Sequence, residues 1–139
     1  MDKEEFTKIR NVLGKTQEQL SQLLCVSVKA VQSYEQGWRT IPSNAERQMM
    51  LFLAFKNRDN MSLEPCWEIK DCPDEWRSNC IVWELKIRHL CWFINGTFCQ
   101  GKIQSNWNSK IKICRDCDIY KQVFPHDLMS NALSTEYSI

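Results

Sequence analysis

Seven cysteines stand between residues 66 and 117, at Cys66, Cys72, Cys80, Cys91, Cys99, Cys114 and Cys117, and an eighth, Cys25, stands apart. A thiol can ligate a metal, exchange with another thiol, or serve as a small buried apolar group. The intervals between the seven hold five, seven, ten, seven, fourteen and two residues. Only Cys114-Arg115-Asp116-Cys117 is a close C-x-x-C pair, a spacing that lets two thiolates converge on one ion or cluster from a single turn. The other intervals match neither an ordinary zinc finger nor the ferredoxin runs of iron–sulfur proteins. Tryptophan accompanies the sulfur: Trp67 follows Cys66, Trp92 follows Cys91, and Trp76, Trp83 and Trp107 lie in the same region. Such apolar bulk would shield a thiolate site from water, and burial helps set the potential of a cluster.

A segment this short cannot build a large core, so a metal or crosslink is expected to hold it. Three readings stand side by side: a cysteine-ligated iron–sulfur cluster or zinc ion, reversible disulfides, and ordinary buried cysteines. The metal reading takes all seven as candidate ligands, led by Cys114 and Cys117, and leans towards iron–sulfur. One site needs only four, so the surplus is spare, supporting, or part of a second site. His89 and His126 read as ordinary histidines rather than ligands. Lys110, Lys112 and Arg115 read as a solvated basic cluster, with the capacity to tune the neighbouring thiolates. Cys66-Trp67-Glu68-Ile69 and Cys91-Trp92-Phe93-Ile94 share Cys-Trp-x-Ile, a faint sign of internal duplication.

These residues occupy the rear of a 139-residue chain, long enough for one ordinary domain or two small ones. The formal net charge of +1 excludes a strong global field for nucleic acid or membrane. No apolar run reaches the about 18 to 20 residues that span a bilayer. MDKEEFTKIR lacks the apolar core of a signal peptide, so no membrane partner and a cytoplasmic location are expected. In that compartment cysteines more often bind metal or do redox chemistry than form structural disulfides. Polar residues 59–65 read as a linker between a domain at 1–58 and a cysteine-rich domain at 66–124. Residues 125–139 form a tail with a short helix expected near 128–133.

The first domain reads as helices. Phe6, Ile9 and Leu13 recur at helical spacing, and Gly14 ends that helix. Thr16 with Gln19 makes a capping box for a second helix through Leu20, Leu23 and Leu24. Ser27 caps a third through Ala30, Val31 and Tyr34, which stops before Gly37. Ser43 with Glu46 predicts another box, opening a helix that carries Met49, Met50, Phe52 and Leu53. Two short helices across a tight turn make a helix-turn-helix.

On Thr16-Gln17, Leu20, Leu24, Val26-Ser27, Val31, Tyr34-Glu35, Gly37 and Pro42-Ser43, residues 4–57 resemble the Cro/phage-repressor (XRE) class, a lambda-repressor-like bundle. The resemblance implies a third helix in the major groove of double-stranded DNA. It places Val28, Lys29, Gln32 and Ser33 at the bases and Gln17 and Arg39 on phosphate, and counts Ser27 among the DNA-binding residues. Gln suits adenine, Lys suits guanine, and Val suits a thymine methyl. Trp38 is expected to pack on a sugar or close the core. The class has a small residue, most often glycine, where Cys25 stands. The bland reading of Cys25 is a buried inert thiol, and the sharper one a redox-sensitive switch.

The rear segment resembles the two-CW module of bacterial regulatory proteins. The matching residues are Pro65-Cys66-Trp67-Glu68, Cys72-Pro73, Cys80, Cys91-Trp92, Gly96-Thr97, Cys99, Gly101-Lys102, Cys114, Cys117 and Tyr120. Leu90 departs from the pattern. The resemblance implies sensing or metal binding and names no ligand. The expected fold is mainly α, a helix-turn-helix bundle with a small irregular cysteine-rich domain. The expected protein is a homodimeric DNA-binding regulator, not an enzyme, whose cysteine module binds metal or cluster and senses redox or metal state. The alternative is a structural zinc or disulfide module for dimerisation or docking. A thiol oxidoreductase using Cys114 and Cys117 is the enzymatic competitor.

Overall fold

The computed structural model describes residues 1–58, 66–87 and 90–124. The expected linker at 59–65, His89, His126 and the tail helix at 128–133 lie outside the described residues. The chain divides into two compact units, with boundaries at Asp59/Asn60 and Pro125/His126.

In the first unit, Asp2 caps α1 (Lys3–Leu13) by accepting from the Glu5 amide at 2.8 Å, and Gly14 closes the helix in the left-handed region at φ 67°. The buried stripe of α1 is Phe6, Ile9 and Val12, one position short of the expected Leu13, which stays partly exposed. Thr16 and Gln19 form the expected reciprocal box at the start of α2 (Gln17–Leu24), with bonds of 3.1 and 3.0 Å. Ser27 accepts from the Ala30 amide at 3.0 Å and opens α3 (Val28–Gln36), which ends on Gly37 at φ 78°. Between them Cys25 holds φ 55° and ψ 43°, a left-handed turn that costs a non-glycine residue about 1–2 kcal/mol.

The fourth helix corrects an expectation. α4 (Ser43–Lys56) begins with Pro42 in the cap position, so Ser43 lies inside the first turn and its hydroxyl caps nothing. Glu46 turns inward instead, 5 % exposed, and accepts from the Met1 amino group at 3.2 Å. Phe6, Leu20, Val31, Met49 and Met50 fill the core where α1 packs on α3 and α4 and α2 packs on α3. Phe6 meets Tyr34 edge-on at 5.7 Å.

The second unit opens with three single-turn helices, α5 (Cys66–Ile69), α6 (Asp74–Arg77) and α7 (Ile81–Glu84). A hairpin follows, β1 (Thr97–Cys99) pairing antiparallel with β2 (Lys102–Gln104). Gln100 and Gly101 both take positive φ, 56° and 79°, as a two-residue hairpin turn of matching twist requires. Asn106 caps α8 (Trp107–Arg115), and α9 (Asp118–Val123) completes the unit. The nine-residue α8 is more regular than the expected irregular domain. Described residues are therefore mostly helical, with few strands.

The two Cys-Trp-x-Ile stretches are not structural repeats. The first is the helical turn α5, while the second, 91–94, is a run of non-helical turns held by Phe93 N–H to Leu90 at 2.9 Å. Trp67 stays partly exposed, whereas Trp92 is fully buried between Phe93 and Phe124.

Candidate nucleic-acid interface and thiol clusters

On α3, Lys29 and Gln32 are exposed and Val28 is partly so. Their spacing puts Val28 and Gln32 one turn apart, with Lys29 beside them. Ser27 is exposed but spends its side-chain oxygen on the helix cap. Ser33 is buried, 6 % exposed, and its hydroxyl donates to the Lys29 carbonyl at 2.8 Å, so it supports the helix from within. Arg39 is exposed, and Trp38, 76 % exposed, does not close the core. Cys25 is likewise exposed rather than buried.

Gln17 is held by a network that sequence reasoning missed. Its amide donates to Glu35 Oε2 at 2.9 Å, and the Arg10 guanidinium grips both Glu35 oxygens while bonding the Lys15 carbonyl at 3.0 Å. Arg10 thus ties α1 to α3 and fixes the start of α2. The only sequence signal for this was a basic residue in the last turn of the first helix.

The thiols of the second unit form two linked groups, joined by the Cys91–Cys66 hydrogen bond and by Cys72 beside Cys99. Cys66, Cys72 and Cys80 line a small apolar cavity with Trp67, Trp76 and Trp83. Trp67 and Trp83 meet edge-on at 5.0 Å, and Trp83 carries the Lys86 ammonium over its ring at 3.2 Å. Arg77 also lines this cavity, its Nε buried without a hydrogen-bond partner and its guanidinium over Trp83 at 4.9 Å. In the second group, Cys91, Cys99 and Cys114 all feel the charge of Lys110. Expected on the surface, Lys110 is buried, only 1 % exposed, because it lies on the inner face of α8. Its ammonium donates to the Thr97 hydroxyl at 2.6 Å, to which the Cys99 thiol also donates at 3.6 Å. Lys112 is exposed as expected.

Burial is the first cause of the raised pKa values of Cys72, Cys99 and Cys114, and the second for Cys91. It pushes the Cys114 thiol up to about 12, with Lys110 pulling the other way and Cys91, Cys99 and Cys117 adding to the rise. Cys99 is raised by burial against the Thr97 bond and Lys110, and Cys72 by burial with Cys99 and Cys80 beside it. Cys91 is raised well above its ordinary range, first by its hydrogen bond with Cys66 and then by burial.

All eight cysteines are free thiols. Among the described residues, no three His, Cys, Asp or Glu side chains gather closely enough to hold a metal ion. The seven sulfurs therefore do not form a ready-made single centre. The donor chemistry nevertheless fits a thiolate-ligated metal or cluster: soft sulfur donors, aromatic cover, and in Lys110 a buried cation with no carboxylate in ion-pair range among the described residues.

The Cys114 thiol gives a pH test. Between its ordinary 9.0 and about 12, the unfolded chain loses this proton while the folded chain keeps it. Its contribution to stability is therefore intact below pH 9 and is lost as pH rises through 12, at about 1.4 kcal/mol per pH unit. Urea midpoints followed by tryptophan fluorescence should fall less steeply above pH 9 in Cys114→Ala. Equal slopes would contradict the raised thiol.

Residues 7–46 match the helix-turn-helix family model. That stretch, from within α1 through the first turn of α4, is similar to helix-turn-helix domains of the XRE type, a class that binds DNA. No curated protein and no solved structure matches the chain. Among the described residues no helix is long and apolar enough to cross a membrane.

Proposed function

We propose that the chain is a DNA-binding transcriptional regulator whose cysteine-rich unit holds a metal or iron–sulfur cluster and reports redox or metal state. The family match over residues 7–46 carries the DNA-binding part. The reading face is Val28, Lys29 and Gln32, with Gln17 and Arg39 on phosphate and Ser27 and Ser33 shaping the helix. A homodimer on a pseudo-palindrome is the natural form, because one such domain reads only a few base pairs. In the second unit, Cys66, Cys72, Cys80, Cys91, Cys99, Cys114 and Cys117 are the candidate ligands. The group would supply a state that depends on redox or metal supply; the chain supplies sulfur donors, apolar cover from tryptophan and the Lys110 charge. Selection from randomised duplex DNA tests the first part: enrichment of two related half-sites supports it, and no enrichment over non-specific binding overturns it.

A second reading keeps DNA binding and makes the cysteine-rich unit a permanent docking or dimerisation module. Held by zinc or disulfides, such a module would cover Leu85 and Ile103, large apolar side chains exposed on this unit. Chelation would then leave operator affinity unchanged unless the unit unfolds.

A further inference from the structure

The small cavity of the second unit joins three kinds of group that a packing defect does not need. It holds about 20 Å³ and is not closed off from solvent. A water needs roughly 10–15 Å³, so the space takes one molecule of that size or a little larger. Its walls are aromatic, with Trp67 edge-on to Trp83 at 5.0 Å and Trp76 edge-on to Phe98 at 6.2 Å. Three free thiols, Cys66, Cys72 and Cys80, line the same space. Arg77 lines it too. Its guanidinium stands over Trp83 at 4.9 Å, and Nη1 lies 3.6 Å from the Asp74 carboxylate. Nε is buried with no acceptor among the described residues. A buried donor left unpaired forfeits its hydration, so the site favours a small guest that accepts a hydrogen bond. Of the three thiols, Cys80 shares a turn with Arg77, its amide donating to the Arg77 carbonyl at 3.1 Å.

We infer that this cavity is a peroxide site, in which hydrogen peroxide oxidises Cys80 in the free-thiol form of the chain. The inference rests on the redox half of the proposed function and gives that state a chemical agent. Hydrogen peroxide is two oxygens long, uncharged, and accepts hydrogen bonds, so it suits the small space, the apolar walls and the unpaired donor. The Cys80 sulfur attacks one peroxide oxygen. A sulfur–oxygen bond forms, the oxygen–oxygen bond breaks, and the departing hydroxide takes up the thiol proton and leaves as water. Sulfur loses two electrons and the peroxide gains them. The Arg77 Nε–H donates to the oxygen on which negative charge gathers. The sulfenic acid then condenses with a second cavity thiol, Cys66 or Cys72, forming a disulfide and releasing another water. Thiol reductants reverse the change by exchange. Cys25, exposed on the first unit, serves as an internal reference.

The test uses the full chain, reduced and stripped with chelator, treated with hydrogen peroxide in the presence of a sulfenic-acid trap. Mass spectrometry locates the label. In folded wild type, Cys80 should be labelled roughly ten- to a hundredfold faster than Cys25, the scale of one charge-assisted hydrogen bond. In urea that preference should vanish. Cumene hydroperoxide, too bulky for the cavity, should show no preference for Cys80. Arg77→Met should lose the advantage with hydrogen peroxide, with circular dichroism reporting its fold; the wild-type comparisons decide the matter if that variant unfolds. A first label on any other cysteine, equal preference with the two peroxides, or a folded Arg77→Met that reacts at wild-type speed overturns the assignment. Operator affinity is read on the same samples. Cys80 oxidised with affinity unchanged supports the peroxide site and contradicts redox regulation. Affinity changed by peroxide with Cys80 untouched does the reverse.

Discussion

A chain carrying Lys29→Ala and Gln32→Ala together should lose its operator while keeping its fold. Both side chains are exposed on α3, the helix that the family match places in the DNA-reading unit. A well-placed side chain to a base edge is worth about 1–3 kcal/mol of discrimination. Losing two should weaken specific binding by roughly thirtyfold to ten-thousandfold for each reading helix. Neither residue fills the core, so unfolding midpoints of the first unit should move by no more than about 0.5 kcal/mol in equivalent stability. Ser33→Ala is the informative control. Its hydroxyl bonds the Lys29 carbonyl inside the unit. That variant should alter stability slightly and leave base preference alone. Fluorescence anisotropy on selected and scrambled duplexes separates these outcomes, and a double variant with full specificity would move the interface off α3.

Trp92→Ala should unfold the second unit while the first stays folded. Trp92 is fully buried, with Phe124 at 5.0 Å and Phe93 at 5.8 Å. Truncating such a side chain costs about 3–5 kcal/mol. A core of this size rarely supplies more than about 3–5 kcal/mol in total, so the loss is comparable with everything the unit has. The Trp92 indole Nε1 is buried without a hydrogen-bond partner, so Trp92→Phe removes an unsatisfied donor along with some volume. That variant should lose much less than half as much. Near-ultraviolet circular dichroism with amide exchange reads each unit by its own signals. Retained protection around Trp92 in the alanine variant would contradict this account of the core.

Local chemistry was legible in the sequence wherever one short stretch decides the outcome. Thr16 with Gln19, Ser27, Gly14 and Gly37 mark helix ends because a cap needs only its own neighbours. Ser43 with Glu46 carries the same pattern and fails, because Pro42 takes the cap position and draws Ser43 into the helix. Ser33 matched the reading positions by resemblance, yet helix rotation turns it into the core. The second unit was less readable because its arrangement is non-local. Cys91, Cys99 and Cys114 come from a turn, a strand and a helix, and no spacing rule joins them. Lys110 looked like surface because lysine nearly always is; only the packing of α8 reveals a buried ammonium.

The most direct measurement compares operator affinity for three forms of the same chain: metal- or cluster-loaded, chelator-stripped and reduced, and oxidised. If the thiol unit governs the DNA-reading unit, loaded and stripped forms should differ by roughly 5- to 150-fold, the usual span of coupling between two sites. Equal affinity in all three forms, with both units folded in each, would contradict the regulator proposed here and leave a DNA-binding protein with a merely structural cysteine-rich module.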